Sequence, residues 1–286
     1  MFLRRTTTDR FMYKKGKQRV TITGYTGGER KVSIPDAIEG LPVTAIGNKA
    51  FARQGALTSV IIPASVTAIG GSAFARCANL KSVIIPERLI YIGNSAFSGC
   101  ARLKSAAIPA AAAVIGTYVF AGCARLSAIN VDRRNAAYSS VDGVLFTKKR
   151  DALIVYPAAK KGQAYTVPDS VTEIKNGAFY GCAGLKSVII PDGVTDIACE
   201  AFARCANLKR VTLSAETWME NGAFPVWVQF VYRGPLSGDS RASCGGRVCN
   251  FSRSPLAAPQ RASMAKGRSA GSISGGFGGT GSPKFS

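Results

Sequence analysis

Residues 63–86 read PASVTAIGGSAFARCANLKSVIIP, and the chain returns to this pattern four more times. It recurs as PERLIYIGNSAFSGCARLKSAAIP from Pro86, PAAAAVIGTYVFAGCARLSAINVD from Pro109, PDSVTEIKNGAFYGCAGLKSVIIP from Pro168 and PDGVTDIACEAFARCANLKRVTLS from Pro191. Phe51, Phe74, Phe97 and Phe120 are 23 residues apart, as are Phe179 and Phe202, and Phe224 follows after 22. A chain with a fixed period cannot bury the apolar face of one unit alone. It stacks units into an array with a continuous core, so the repeats constitute one domain whatever the total length.

Within each unit Leu80, Val83 and Ile85 mark a strand of LxxLxL type, while Val66, Ile69, Phe74 and Cys77 fill the return path. Alternation along the strand places Ser82 and Ile84 outwards. Stacked copies predict a leucine-rich repeat solenoid, an α/β repeat with a parallel sheet on one face. The segment SAFARC, entered after Gly70 or Gly93, predicts a short helical or 3₁₀ turn on the other face. Prolines 63, 86, 109 and 191 end the strands, since proline cannot donate to a ladder.

Working outward, residues 1–12 form a basic N-terminal segment and the solenoid is expected over 13–234. Alternation at Val20 and Ile22, and again at Val32 and Ile34, predicts two short strands joined by a turn, an N-terminal cap. Phe120 to Phe179 spans 59 residues, which breaks the period. Strand-like runs around 141–146 and 153–156, joined by TKKRDA, predict a β-hairpin insertion at about 130–167, with Asp142-Gly143 as a turn signal in the first arm. PVWVQFVYRGP after Phe224 reads as a last, capping strand. Residues 235–286 hold ten Gly and eleven Ser without periodicity, and disorder is expected there.

The net charge of +21 is uneven. Residues 1–31 carry nine Lys/Arg against two acids and the tail from Pro235 seven against one, leaving 21 against 13 for the body. Such ends favour anionic partners through salt-sensitive attraction, nucleic acid included, although a solvated basic flank gives the same composition. No run of eighteen apolar residues occurs, so no membrane span is expected. The N-terminal stretch has no apolar h-region, so no secretory signal is read there.

The chain contains no histidine, which removes Ser-His-Asp and Cys-His catalysis and every His-containing metal site. Asp169, Glu173, Asp192 and Asp196 recur with the repeat, as a solvated solenoid surface would give. Neither a catalytic site nor a cofactor or metal site is expected. Cys77, Cys100, Cys123, Cys182 and Cys205 each follow a column Phe by three residues and read as a ladder of buried thiols; bridging between neighbouring turns stays open. Cys199 lies off that column. Cys244 and Cys249, the Gly276-Gly278-Gly281 pattern and the Asn250 sequon lie in the tail without a context that would give them function.

The outward strand positions form columns. One runs Ile61, Ile84, Ala107, Asn130, Ile189 and Thr212; another runs Thr58, Lys81, Lys104, Ser127, Lys186 and Lys209. An exposed isoleucine column beside a lysine column predicts a protein-binding strip at Ile61, Ile84, Lys81, Lys104, Ile189, Lys186 and Lys209. The same residues would also serve β propensity and solubility alone.

VTAIGGSAFARCANLKSVIIP at 66–86 resembles, almost position by position, the unit of the BspA-type leucine-rich repeat family. NAAYSSVDGVLFTKK with LIVYP resembles an insertion common in that family, and ITGYTGGERKVSIPDAIEGLPVTAIGNKAF a typical start, so the resemblance covers about 13–234. It implies a curved solenoid for adhesion or protein binding, at a cell surface or secreted, with no catalytic residue to carry over. Two functions are therefore expected: an adhesin-like scaffold that takes a host or matrix protein on its strand face, or a nucleic-acid or anionic-surface binder acting through basic termini.

Overall fold

The structure is a computed structural model and describes residues 7–233. Each coil carries two strands, and equivalent residues of successive coils pair in parallel. Ser59–Ile61 lies on Ser82–Ile84 with Ser59 opposite Ser82 and Ile61 opposite Ile84. The VTAIG stretch forms a second parallel ladder, in which Ala68–Ile69 pairs with Tyr91–Ile92 and that with Val114–Ile115. The expected single sheet is thus two ladders on different sides of the core. Val66 and Ile69 are fully buried while Thr67 and Ala68 between them are half-buried, which anchors each two-residue strand from both ends.

The helical turn expected at SAFARC does not form. Among the described residues the only helix is the 3₁₀ turn Thr7–Arg10. A helix needs its N–H groups to reach back along their own chain, and here alternate N–H groups are taken by the next coil. Ser72, Phe74 and Arg76 donate to the carbonyls of Asn94, Ala96 and Ser98 at 2.8, 2.8 and 2.6 Å. The intervening Ala73, Ala75 and Cys77 close turns onto Gly70, Ser72 and Phe74. Ser72 and Arg76 adopt φ of +56° and +61° to permit the alternation, a left-handed conformation that lateral bonding sustains against local preference.

That geometry stacks the column rings. Phe51, Phe74, Phe97 and Phe120 follow at centroid distances of 5.0, 5.3 and 5.7 Å. Each ladder cysteine donates its thiol to the carbonyl of a column ring one coil back, Cys77 to Phe51 at 3.0 Å and Cys100 to Phe74 at 3.2 Å. All six described cysteines are free, so the ladder consists of thiols without bridges.

At the N-terminus the two expected strands do not pair with each other. Val20–Tyr25 joins the short ladder against Leu41–Ile46, Lys31–Ser33 joins the long ladder against Ser59–Ile61, and a further strand, Phe11–Lys15, closes antiparallel on Val20–Tyr25. Tyr25 stacks on Phe51 at 5.2 Å and ends the column. At the other end Gln229–Arg233 pairs with Arg210–Ser214, and Phe230 meets Phe224 edge-on at 5.1 Å.

The insertion is a three-stranded piece. Tyr138–Val141 and Val144–Thr147 form a tight antiparallel hairpin with Val141 opposite Val144, turning at Asp142 and Gly143, whose φ values are +49° and +79°. Positive φ at both central residues is the turn that Asp-Gly favours. The second arm, Ala152–Val155, pairs antiparallel with Val144–Thr147 and parallel with Glu173–Ile174, which returns the chain to the solenoid. Alternation along Val144–Thr147 sends Leu145 into the core of the preceding coils and Val144 and Phe146 into that of the following ones. Buried Asn135 fixes the entry: its Nδ2 donates to the carbonyls of Pro109 and Ala112, and its Oδ1 accepts from the N–H groups of Ala137 and Tyr138.

The 235–286 tail, with Cys244, Cys249, Asn250 and the glycine pattern, lies outside the described residues. No described helix is long and apolar enough to cross a membrane.

Candidate functional site

The long ladder positions the predicted strip. Ile61 and Ile84 are 46% and 58% exposed and stand opposite each other in register, with Ser33 before them. Their strand neighbours Val60 and Val83 turn inwards, buried and half-buried, so the isoleucines are outward by alternation. Lys81 begins the same coil edge: its N–H donates to the carbonyl of Thr58, as that of Ser127 does to Lys104. Lys81, Lys104, Lys186 and Lys209 are all exposed, and none takes part in an ion pair among the described residues.

The strip is not continuous. The long ladder runs as three sheets, Lys31–Ser33 to Ser82–Ile84, Ser105–Ile108 with Ala128–Val131, and Ala164–Thr166 to Gln229–Arg233. Ile61, Ile84 and Lys81 belong to the first, with Lys104 at the edge of the second. Ile189, 42% exposed, belongs to the third with Lys186 and Lys209, where the N–H of Lys209 donates to the carbonyl of Lys186. The hairpin insertion separates the two groups. Their charge differs too: residues 40–131 carry eight Lys/Arg and the single acid Glu87, whereas 132–233 carry thirteen against ten.

A second apolar patch was not foreseen. On the short ladder Ile90, Tyr91 and Val114 are 48%, 42% and 47% exposed, and Tyr91 and Val114 are register neighbours. The signal lay in the sequence as a departure: where one repeat has Thr67-Ala68 the next two have Ile90-Tyr91 and Ala113-Val114. Val226 and Trp227, before the last strand, are also exposed.

The carboxylates form ordinary surface contacts. Glu173 pairs with Lys175 and Asp192 with Arg233 at 3.2 Å, and Asp196 accepts a hydrogen bond from Thr195. No group of three potential metal ligands occurs among the described residues. Burial pushes the Cys77 thiol up to about 11 and that of Cys123 up to about 12, and it raises Cys100 and Cys182 as well. Such thiols stay protonated at neutral pH, which suits hydrogen-bond donors inside a core and not nucleophiles.

The chain matches the family described as BspA type leucine-rich repeat region, in six copies over residues 44–143 and 158–226. Solved structures similar to it include the leucine-rich repeat protein of T. pallidum, at 29% identity, covering 77% of this chain and 90% of that one, with a TM-score of 0.48. A leucine-rich repeat protein from Eubacterium ventriosum is 22% identical over 76% of this chain and 74% of that one, TM-score 0.53. The pneumococcal vaccine antigen PcpA is 22% identical over 73% and 70%, TM-score 0.51. The latter two agree in fold. No curated protein matches the chain.

Proposed function

This chain belongs to the BspA-type leucine-rich repeat family, and on that premise we propose that it is a non-enzymatic, adhesin-like scaffold that binds a host or matrix protein on the first patch of its long-strand face. Such repeat scaffolds commonly serve protein interaction, and the coil geometry supplies what that needs: a rigid face with side chains at fixed spacing. The observation that carries the reading is the pair Ile61 and Ile84, about half exposed, in register, beside Lys81 and Lys104 that no carboxylate neutralises. Exposed apolar side chains grouped on a folded surface mark interaction sites, and uncompensated cations around them favour a partner with acidic residues.

The test is Ile84→Asp in the full chain, read by binding to an array of extracellular-matrix proteins. Loss of an apolar anchor at the centre of an interface weakens binding about tenfold or more. Ile189→Asp, on the separate third sheet, should leave affinity within about twofold by the additivity of distant sites. Binding untouched by Ile84→Asp and abolished by moderate salt would move the activity to the basic flanks.

A further inference from the structure

The column of rings is continuous within each half of the solenoid and interrupted between the halves. Tyr156 lies 23 residues before Phe179 and occupies a place in the column: it stacks on Phe179 at 5.0 Å, and its carbonyl accepts the Cys182 thiol as the carbonyls of Phe51 and Phe74 accept theirs. The rings then continue to Phe202 and Phe224 at 4.4 and 4.5 Å. No ring contact joins Phe120 to Tyr156 among the described residues. Both instead line one half-open cavity of about 350 Å³, within the range of small-molecule sites.

The backbone is interrupted at the same place. The N–H groups of Phe51, Phe74, Phe97, Tyr156, Phe179 and Phe202 each donate to the carbonyl just before the next ring of the column. The N–H of Phe120 has no acceptor among the described residues, nor has that of Tyr118, whose counterparts Ser72 and Ser95 donate to Asn94 and Thr117. Both residues line the cavity, and Phe120 is 4% exposed. Buried backbone donors are nearly always paired, so an orphan on a cavity wall points to an acceptor from outside the chain. Ala121, Ala158 and Ala178 keep the walls short. Lys175 adds a cation on the same wall, with Glu173 balanced against it.

We infer that this cavity binds a small planar aromatic carboxylate, with its ring between Phe120 and Tyr156 and its carboxylate accepting from the Phe120 N–H beside Lys175. A ring there meets aromatic surface on both sides at offset-stacking distance. Its acid group supplies the acceptor that every other coil receives from its neighbour.

The experiment titrates the full ¹⁵N-labelled chain with 2-naphthoate and, as a control of similar size without planarity, decahydro-2-naphthoate. The inference expects saturable 2-naphthoate binding with a Kd of about 1 mM or tighter, as a dozen well-placed atoms allow, and binding of the saturated acid at least about tenfold weaker. The Phe120 amide proton should move downfield on binding. Ala158→Phe, which places a ring of the protein's own in the cavity, should abolish binding without lowering Tm. Absence of saturable binding, equal Kd for the two acids, or a Phe120 amide that does not shift would overturn it. So would an Ala158→Phe variant with native circular dichroism and unchanged Kd. Should that variant fail to fold, the saturated acid and the Phe120 shift decide by themselves.

Discussion

Phe97→Ala tests the packing that holds the coils together. Phe97 is fully buried and lies between Phe74, at 5.3 Å and 2° from parallel, and Phe120, at 5.7 Å and 10°. Truncating a buried phenylalanine costs about 3–5 kcal/mol through lost transfer energy and the cavity left behind. Up to about 1.5 kcal/mol of that comes from each lost ring pair. Because the coils on either side are tied by lateral backbone bonds, the site cannot collapse, which places the expected loss near 4 kcal/mol in that range. Phe120→Ala provides the internal comparison. Phe120 stacks on one ring only and already borders a cavity, so its truncation should cost about 1 kcal/mol less, the worth of one ring pair. Urea unfolding followed by both far-ultraviolet circular dichroism and tryptophan fluorescence is the appropriate assay, since two probes reveal whether the array still unfolds as one unit. A loss below about 1 kcal/mol for Phe97→Ala, outside the range for a buried ring, would refute the stacked-column account. So would Phe120→Ala costing more than Phe97→Ala.

Asn135→Ala should cost about 3 kcal/mol in the same assay, because it strands four backbone groups that its side chain satisfies at 2.7–2.9 Å. Gly177→Ala should destabilise by about 2 kcal/mol: φ is +64° and a Cβ would lie 2.5 Å from Cδ1 of Tyr118. The thiol ladder predicts an alkaline limit. From an unfolded value of 9.0, burial raises Cys77 to about 11 and Cys123 to about 12. The folded state therefore holds these protons more tightly, and their stabilisation is complete below pH about 9 and lost as pH rises to about 12. Urea midpoints constant from pH 7 to 9 and falling above would agree; midpoints flat to pH 11 would not. Among the six described cysteines, half-buried Cys199 should be the one that iodoacetamide labels fastest at pH 8, as mass spectrometry can show.

The architecture was legible because buried positions repeat as residue identities. Phe51, Phe74 and Phe97 fix the coil length, and Leu80, Val83 and Ile84 fix which side of the long strand faces water. Asp142-Gly143 announced its turn, since only a few dipeptides tolerate two positive φ values. The turn opposite the sheet was misread, because its conformation comes from bonds between coils. Ser72 and Arg76 have no local preference for positive φ, and SAFARC alone resembles a helix former. Two-residue strands such as Ala68–Ile69 are too short to show alternation, which hid the second ladder and the exposure of Ile90, Tyr91 and Val114. Tyr156 escaped because it replaces Phe after an irregular insertion, although its distance to Phe179 kept the period. Asn135 has no counterpart in other repeats. The break in the isoleucine and lysine columns follows from hairpin geometry, which the spacing of those residues does not contain.

The central claim is that the first patch of the long-strand face binds protein. Its most direct test is the affinity of the full chain and of Ile84→Asp for an array of extracellular-matrix proteins at low and at moderate salt. The account predicts a protein ligand whose binding persists at moderate salt and weakens about tenfold or more in Ile84→Asp. Equal affinity of the two chains, with binding that disappears as salt rises, would contradict it.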